Sequence, residues 1–589
     1  MSFVMYFSVA LAASSVCAAE LCDLTVNPGA QDGHTPADPE RFFTVCSSSR
    51  YEAHPSTVML SDDKTILAFW DVRQGGPCGS AAISKDAGRS WTRIDGRLPE
   101  EFLDCHDEPK AWRFLDPKTG RDRIRVFASY GTADEYDWRG PASRPQAEAM
   151  PSILSEDGGV TWRYLPPLGA DFACVVGFSG MVRLADGSYL GAFSRGENPN
   201  GDGGEYCLMG SFSRDGGMTW EKPFVLAKKD GRSFFMPTLF RAPDGKEICC
   251  LAIDWCGGKA WTSFSSDEGK TWSEPSQAID ELEGGEHSVG VLPDGRVVVA
   301  FHREDEIRGW IGSYGALRGR PKGVDHVMRI VHNYGDGAAV GSPNVHVRKN
   351  GEIIVIAHSQ FDLRRPMPAV VAMRFTAEEV AHAADERAKA REDFEGWNPF
   401  AGSAFRPLDH MKLYGPFAQE VVLRDKIKRE FYPFDGSKAY IAKAAGEDAV
   451  EVTSRTGAYE IAKHANRRRG NAAILVWTVR VPEDCTTRLR LFASPAAYCC
   501  VGKTEVLSPV YAGAFDYRTI EVSLKKGDND ISVMVYQPKG SAAVSRGFSD
   551  MPMRVAAGLE LKEFECVRSE AKIEIEDANE VSIDNITDL

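Results

Sequence analysis

The eight residues Ser84-Lys-Asp86-Ala-Gly88-Arg-Ser90-Trp91 recur later in the chain with the pattern Ser-x-Asp-x-Gly-x-Ser/Thr-Trp. The further copies are Ser155 to Trp162, Ser213 to Trp220 and Ser265 to Trp272. In each copy we expect the Asp to bind nearby backbone N–H groups, the Gly to supply a left-handed φ, and the Trp to pack beneath the turn. Each copy follows a strand-like run, so these tight hairpin turns predict a repetitive all-β architecture.

A second repeat consists of paired apolar strands joined by short Asp-Gly-type turns. Such pairs occur at Val58 to Phe69, Val182 to Phe193, Val289 to Phe301 and Val345 to Ala357, with looser versions around Asp116 and Asp244. Counting them gives six units, which begin near residues 54, 107, 178, 236, 286 and 342. Antiparallel units of about 50 residues predict a six-bladed β-propeller over residues 46–375.

Composition describes an ordinary globular protein and excludes several classes. Hydrophobic residues make up 43% and charged residues 26% of the 589 residues. The 69 basic and 84 acidic side chains give a net charge of −15, which argues against a nucleic-acid partner. Beyond the first residues, no apolar run approaches the roughly 18 residues of a membrane span.

The first residues indicate export. Val4 to Val16 is a short apolar run, and Cys17-Ala-Ala19 fits a cleavage site, so residues 1–19 are predicted to be a signal peptide and residues 20–45 a leader. The predicted location is therefore secreted or periplasmic. A lipid anchor on Cys17 and a buried N-terminal strand remain alternatives.

The 14 cysteines fit an oxidising compartment but are too dilute for a disulfide scaffold. The adjacent pairs Cys249-Cys250 and Cys499-Cys500 differ from the spacing of zinc sites, so we expect no metal and no organic cofactor.

Three segments follow the repeats. Thr376 and Glu379 form a capping box that opens a predicted helix to Phe394, within a connector spanning residues 376–415. Short alternating strands over residues 416–567 predict a jelly-roll-like β-sandwich, which either binds carbohydrate or only packs beside the repeats. Residues 568–589 form an acidic tail.

Candidate site residues follow from the topology of such a sheet ring. The starts of the first strands and the ends of the second strands meet at one face, over a central channel. First-strand starts supply His54, Asp107, Glu108 and Glu286, and second-strand ends supply Asp71, Arg73, Arg195, Trp255, His302 and Arg303. This density of ionisable side chains predicts a site for a polar ligand. The three arginines suit a carboxylate, and therefore an acidic sugar.

The turn motif and the unit count resemble the sialidase (neuraminidase) superfamily of six-bladed propellers with Asp-box (BNR) turns. Asp71-Val-Arg73 is similar to the Asp-x-Arg of its first blade. Glu286, eight residues before Asp294-Gly295, and Arg303 are similar to the Glu and Arg of a central blade. The resemblance implies that Glu286 activates a tyrosine nucleophile and that Arg303 binds the substrate carboxylate.

Other positions depart from that family pattern. The segment that would hold an Arg-Ile-Pro reads Glu52-Ala-His54-Pro55. No Asp follows Arg73 within residues 74–79, and Ser342 stands where the nucleophilic Tyr is expected, with Tyr334 the nearest upstream tyrosine.

The predicted function is an exo-sialidase-like glycoside hydrolase that removes sialic acid or a related acidic sugar from glycoconjugates. Glu286 is the candidate base or nucleophile activator, Tyr334 or Tyr130 the nucleophile, and His54, Asp107 or Glu108 the proton donor. Two carboxylates acting by inversion around a water remain possible without a Tyr. Two further alternatives are a non-catalytic glycan-binding propeller and a uronic-acid lyase that uses His54 or His302 as base. The expected partners are sialylated or acidic glycans, and the oligomeric state stays open.

Overall fold

The computed structural model describes most of the chain. The described residues are 22–24, 41–73, 75–130, 149–196, 205–255, 257–303, 306–320, 325–332, 340–361, 367–392, 396–401, 403–417, 423–425, 430–431, 434, 436–445, 449–464, 472–494, 496–511, 517–536, 553–561 and 563–567. Within them the chain is all-β, with strands numbered β1 to β39 in chain order. The predicted signal peptide, the acidic tail and Tyr334 lie outside these residues.

Six antiparallel sheets occupy the first two thirds of the chain, each a short meander. Sheet 1 contains β3 (Glu52–Met59), β4 (Ile66–Val72), β5 (Ser80–Ser84) and β6 (Thr92–Arg93). Sheet 2 contains β7 (Lys110–Leu115), β8 (Asp122–Phe127), β9 (Ser152–Ser155) and β10 (Arg163–Leu165). Sheet 3 contains β11 (Val176–Arg183), β12 (Tyr189–Gly196), β13 (Tyr206–Ser213) and β14 (Phe224–Ala227).

Sheet 4 contains β15 (Phe234–Arg241), β16 (Ile248–Asp254), β17 (Lys259–Ser265) and β18 (Ser276–Gln277). Sheet 5 contains β19 (Gly285–Val291), β20 (Arg296–Arg303), β21 (Glu306–Ser313) and β22 (His326–His332), with β1 (Cys22–Asp23) parallel to β22. Sheet 6 contains β23 (Val340–Val347), β24 (Ile353–Ser359), β25 (Ala369–Phe375) and β2 (Phe42–Cys46). The strand β2 precedes sheet 1 in the chain but completes sheet 6, so this part begins four residues before the predicted boundary at residue 46.

The first strands of the six sheets lie side by side in a ring. Each contacts the first strand of the next sheet, in the order β3, β7, β11, β15, β19 and β23, and β23 contacts β3 again. Apolar layers fill the space between neighbouring sheets. On one face of sheet 1, Ile66 packs with Ile354 of sheet 6. On the other face of sheet 1, Leu67 packs with Ile124 of sheet 2. Burial of these layers is the main stabilisation of the ring.

The repeated octapeptides form the same turn in each sheet that carries one, between the third and fourth strands. In the first copy, Asp86 Oδ1 accepts from the backbone N–H of Ser90 at 2.9 Å and Oδ2 accepts from the Ser90 hydroxyl at 2.6 Å. The Gly88 N–H donates to Ser84 Oγ at 2.8 Å, and the Trp91 indole donates to the Gly88 carbonyl at 3.0 Å. Gly88 has φ +86, so the predicted left-handed glycine is confirmed.

The helices are α1 (Glu100–Leu103), α2 (Tyr314–Leu317), α3 (Ala377–Glu392), α4 (Lys438–Ala445) and α5 (Ile461–His464). Short 3₁₀ turns span Asp95–Arg97, Ala170–Phe172 and Asp280–Leu282. The capping box of α3 is confirmed, because the Thr376 N–H donates to Glu379 Oε2 at 2.7 Å and the Glu379 N–H to Thr376 Oγ1 at 3.2 Å. Among the helices described, none has the length and apolar content that a bilayer crossing demands.

Two large sheets and one two-stranded sheet follow α3 in the described part of the chain. One contains β26 (Arg406–Pro407), β38 (Arg554–Leu559), β33 (Cys485–Ser494), β36 (Tyr517–Leu524) and β31 (Ala458–Glu460). The other contains β30 (Ala449–Thr453), β27 (His410–Phe417), β32 (Ala472–Val481), β37 (Gly527–Tyr536), β34 (Ala496–Val501), β35 (Thr504–Tyr511) and β39 (Glu565–Cys566), and β28 (Leu423–Asp425) pairs with β29 (Glu430–Phe431). Residues of both larger sheets share one apolar core around Trp477 and Leu489.

Candidate functional site at the mouth of the central cavity

A cavity of about 580 Å³ lies inside the ring of first strands. Every first strand contributes to its wall: the lining includes Ser56, Ala111, Met181, Thr238, Ser288 and Val345. Lys110, Glu286 and Ser342 line the end at which the first strands begin. We call this end the mouth.

The mouth carries a repeated backbone irregularity. His54, Glu108, Met236, Glu286 and Ser342 each stand at the start of a first strand with φ between 43° and 55°. In β3, β15, β19 and β23 this residue coincides with a shift in the strand register. Left-handed non-glycine residues in bulges are uncommon and cluster at functional sites, where they redirect side chains. The five side chains are therefore set at the mouth by strained backbone.

A chain of charges connects three of the sequence-predicted residues. His54 Nδ1 lies 3.0 Å from Asp71 Oδ2. His54 Nε2 lies 3.9 Å from Glu108 Oε1, and Lys110 Nζ donates to Glu108 Oε2 at 2.9 Å. Asp71 is fully buried, whereas His54 and Glu108 retain a little exposure. The imidazole is thus held between two carboxylates.

These carboxylates decide the protonation of His54. Burial by itself lowers the pKa of His54, but Asp71 and Glu108, aided by Glu286, act more strongly and raise it to about 10. Burial raises the pKa of Asp71, against the opposing effect of His54. Burial also opposes the charge of Lys110, yet Glu108 raises its pKa above the usual value. At neutral pH, His54 and Lys110 are therefore both cations.

Glu286 is fixed from the neighbouring strand β23. Its Oε2 accepts a hydrogen bond from the Ser342 N–H. Gly341 lies beside the same oxygen, because a Cβ built on it would be 2.8 Å from Glu286 Oε2 and 3.0 Å from His358 Cε1. The absence of a side chain at residue 341 lets this carboxylate and this imidazole approach each other.

His358 lies beneath the mouth. Its ring meets that of His54 edge-on at 5.4 Å between centroids. It is 1% exposed and lies beside Gly341, its partner in the opposite strand. Burial, together with the charges of His54 and His302, holds the pKa of His358 well below its usual value. The neutral imidazole of His358 therefore packs against the cationic imidazole of His54.

The strand register places all three candidate arginines at the mouth end of their sheets. Ala53 is paired with Asp71, Val176 with Ser194, and Gly285 with His302.

Their side chains differ. Arg73 is exposed. Arg195 donates to backbone carbonyls of residues 171–173, and Arg303 Nη2 donates to Glu283 Oε2 at 3.3 Å. Two of the three guanidinium groups thus already have partners in the protein, and their predicted role in binding a carboxylate stays a prediction.

The remaining candidates surround this centre. Trp255 is 60% exposed and packs edge-on against Phe235 at 5.0 Å. Asp107 has φ +73 and is buried directly before Glu108. The hydroxyl of Tyr130, one of the two candidate nucleophiles, donates to the Cys174 carbonyl oxygen and accepts from its N–H at 3.3 Å.

The sequence predicted that the candidate residues lie at one end of the sheets, but it did not predict which of them contact one another. The His54–Asp71 pair, the neutral His358 and the requirement for Gly341 depend on the fold. One signal was available: the left-handed residue precedes a proline at His54-Pro55, Glu108-Pro109, Met236-Pro237 and Ser342-Pro343. Proline repeated at equivalent strand starts marks an irregular backbone. Among the described residues, no group of three or more His, Cys, Asp or Glu side chains could hold a metal ion.

Comparison with known proteins finds similarity for part of the chain. Residues 117–314 match the family model described as BNR repeat-like domain. The chain is 26% identical over 243 residues to a sialidase of Clostridium perfringens, across 38% of this chain and 61% of that protein. The match therefore spans about three fifths of the relative's length. Part of the chain is thus similar to BNR repeat-like domains and to a sialidase.

Comparison with solved structures finds the NanB sialidase of Streptococcus pneumoniae, with a TM-score of 0.39 and 13% identity over 58% of this chain and 71% of that one. Another is an alpha-L-arabinanase of Penicillium chrysogenum complexed with arabinobiose, with a TM-score of 0.43 and 12% identity over 58% of this chain and 99% of that one.

Proposed function

We propose that the ring of six sheets is a six-bladed β-propeller, that the later sheets form a separate β-sandwich, and that residues 1–19 direct export. The sandwich begins at β26 (Arg406–Pro407), ten residues before the predicted boundary at residue 416. The closed order of first-strand contacts supports the propeller. The single core shared by the two later sheets supports the sandwich. These proposals make the mouth the axial face of the propeller, where several strands can deliver side chains to one ligand.

We further propose that the protein is a sialidase-like glycoside hydrolase that removes a terminal acidic sugar at the mouth. The observation that carries this proposal is the electrostatic action of Glu108 and Glu286 on the protonated His54, next to a cavity that Glu286 and Lys110 line. Hydrolysis of a glycosidic bond needs a group that carries a proton and a group that accepts one. His54 carries the proton, and the Glu286 carboxyl group is positioned to accept one.

The role of His54 follows from its protonation and that of Glu286 from its position. Glu286 takes a proton from a water molecule, and the oxygen of that water attacks the anomeric carbon. The His54 imidazolium gives its proton to the departing glycosidic oxygen, and Glu108 and Asp71 stabilise the cation until that step. Lys110 lines the cavity and supplies positive charge for the sugar's carboxylate, and the exposed Arg73 is a second candidate. A Tyr334 nucleophile would replace the water without changing the role of Glu286.

The same protonation state argues against a lyase in which His54 acts as the base. A general base needs a free lone pair, and a His54 pKa of about 10 leaves little neutral imidazole at pH 7. A glycan-binding protein without catalysis is the alternative that the experiment must distinguish.

The test measures sugar release from sialyl-lactose and from a terminal glucuronide by wild type, Glu286→Gln and His54→Gln. Either variant should lower the rate of release by about 10³-fold, because each removes a proton-transfer group. Glu221→Gln, the same chemical change at an exposed turn residue, should release sugar at the wild-type rate.

Other outcomes would contradict the proposal. Sugar binding by wild type without release would identify a glycan-binding protein. An unsaturated product that absorbs in the ultraviolet would identify a lyase. Unchanged release by Glu286→Gln would remove this carboxylate from the mechanism.

A further inference from the structure

Two cysteines face each other at the rim between sheets 1 and 2. Pro77 and His106 form an isolated antiparallel bridge. Next to it, the Cys78 N–H donates to the Cys105 carbonyl oxygen at 2.8 Å. Cys78 and Cys105 are therefore opposite each other in register, although 27 positions separate them in the sequence.

This register suits a disulfide bond. One backbone hydrogen bond joins the two residues, while the Cys105 N–H donates to the Phe102 carbonyl oxygen at 3.1 Å. Opposite residues of antiparallel strands have Cα atoms about 4.5–5.5 Å apart and side chains on the same face. Disulfides span Cα distances of roughly 4.4–6.8 Å. Both thiols are fully buried and belong to the same apolar cluster, and Cys105 Sγ donates to the Glu101 carbonyl oxygen at 3.3 Å. The two segments also pack tightly, because a Cβ on Gly79 would lie 2.9 Å from Leu103 Cδ2.

The two segments carry the carboxylates that hold His54. The segment with Cys78 follows Asp71 along the chain, and the segment with Cys105 leads directly into Glu108. The Asp107 N–H also donates to the Gly76 carbonyl oxygen at 3.2 Å, which makes the two segments one short ladder. A covalent bond across this ladder would hold both sides of the imidazole at a fixed separation.

We propose that Cys78 and Cys105 form a disulfide bond that fixes the His54 side of the mouth. One thiolate attacks a small-molecule disulfide such as oxidised glutathione and releases one glutathione thiolate. The second cysteine then attacks the mixed disulfide and releases the other. Two protons leave the cysteines, and the two electrons reduce the glutathione disulfide to two thiols, so the exchange balances.

The bond forms while the chain folds. In the folded protein both sulfur atoms are inaccessible, and burial, reinforced by Asp71 and Cys105, raises the pKa of Cys78 well above its usual value. The closed rim therefore protects the disulfide once made, and it equally protects the thiols of a chain that folded without oxidant.

The first test maps the bond. The full chain is refolded in a glutathione redox buffer or in dithiothreitol. It is then unfolded in a denaturant that contains iodoacetamide, which alkylates free thiols, and is digested and analysed by mass spectrometry. After oxidative refolding, the peptide containing Cys78 should be joined to the peptide containing Cys105. If both cysteines carry alkyl groups, or if either is joined to a different cysteine, the proposal is wrong.

The second test measures stability. Oxidatively refolded wild type should melt at least about 3 °C above the same protein refolded in dithiothreitol, because the bond closes a loop in the unfolded chain. The double variant Cys78→Ala, Cys105→Ala should show no such difference.

Cys250→Ala is the matched control. Cys250 is also fully buried, but Leu239 and Ser263 are opposite it in the sheet. Its removal should leave the redox-dependent difference intact. An equal melting temperature for the oxidised and reduced wild type would contradict the proposal.

Discussion

The two ends of the six sheets are built from the same strands but differ in chemistry. At the turn end, the octapeptide repeats the same hydrogen bonds, and Asp86, Asp157, Asp215 and Asp267 each accept from a backbone N–H and a hydroxyl. At the mouth, equivalent positions hold His54, Glu108, Met236, Glu286 and Ser342. The turn end therefore repeats the same residues from sheet to sheet. The mouth repeats the left-handed backbone conformation but varies the residue at that position from sheet to sheet.

This difference indicates that the turn end serves stability and that the mouth serves activity. Hydrogen bonds within each turn satisfy its carboxylate, and for Asp86 they lower the pKa to about 2. At the mouth, burial and charged neighbours act together. Asp71 and Glu108 overcome burial and raise the pKa of His54, whereas burial, reinforced by His54 and His302, lowers the pKa of His358. Substitutions at the turns should therefore reduce stability, and substitutions at the mouth should reduce activity.

Among substitutions that leave the ionisable groups of the mouth in place, the largest effect is expected from Gly341→Ala. The added methyl group would lie 2.8 Å from Glu286 Oε2 and 3.0 Å from His358 Cε1, so the carboxylate must move away from its position. We expect sugar release to fall about 100-fold, since small misplacement of a catalytic group has effects of this size. Gly96→Ala, where no atom lies within 4 Å of the new methyl, is the control.

Steady-state kinetics and thermal melting of both variants make the measurement. A Gly341→Ala protein with full activity would show that the close approach to Glu286 is not required. A large loss of stability in the same variant would instead assign Gly341 a structural role.

The next effect concerns the turn end. Asp215 accepts hydrogen bonds from the N–H groups of Met218 and Thr219 at 3.0 and 2.9 Å and from the hydroxyls of Ser213 and Thr219 at 3.0 and 2.6 Å. Asp215→Ala should lower the free energy of unfolding by about 2 kcal/mol, because it removes bonds to a charged acceptor.

Urea denaturation measures this change, with the exposed Asp230→Ala as control. Activity at 25 °C should stay at the wild-type level. Lost activity in a folded Asp215→Ala protein would contradict the separation between the two ends.

The stability contributions of the two ends should also depend on pH in opposite directions. The contribution of His54 is complete below its usual pKa of 6.5 and is lost as the pH rises through about 10. That of Asp86 is complete above 3.8 and is lost as the pH falls through about 2. His54→Gln should therefore reduce the alkaline loss of stability, and Asp86→Asn should reduce the acid loss.

Unfolding curves of wild type and both variants over the whole pH range test this expectation. Identical alkaline slopes for wild type and His54→Gln would show that Asp71 and Glu108 do not hold a charged imidazole.

The smallest effect should come from the arginines. Arg73 is exposed, whereas Arg303 is paired with Glu283. Arg73→Gln should raise KM for an acidic sugar by up to about fivefold, the limit for an exposed ion pair. Arg303→Gln should raise it less, and neither should change KM for a neutral sugar. A larger effect at Arg303 would show that the substrate displaces Glu283.

Much of the fold was predictable because its signals are local. The turn motif contains its own hydrogen bonds, and the predicted units near residues 54, 178 and 286 correspond to β3, β11 and β19. The rim was predictable too, since strand alternation alone brings His54, Asp71 and Glu286 to one end.

The pairings at the mouth were not predictable. The His54–Asp71 contact requires a left-handed residue before a proline, which ordinary backbone preferences disfavour. The His358 contact requires a glycine in the opposite strand. Both depend on neighbours that are distant in the sequence, and so does the pairing of Arg303 with Glu283.

A crystal structure of Glu286→Gln with sialyl-lactose bound tests the central claim most directly. The account predicts the terminal sugar in the mouth, with its anomeric centre beside residue 286, its glycosidic oxygen facing His54 and its carboxylate near Lys110. Sugar bound at the Asp86-type turns or on the sheets after α3, with the mouth empty, would contradict it.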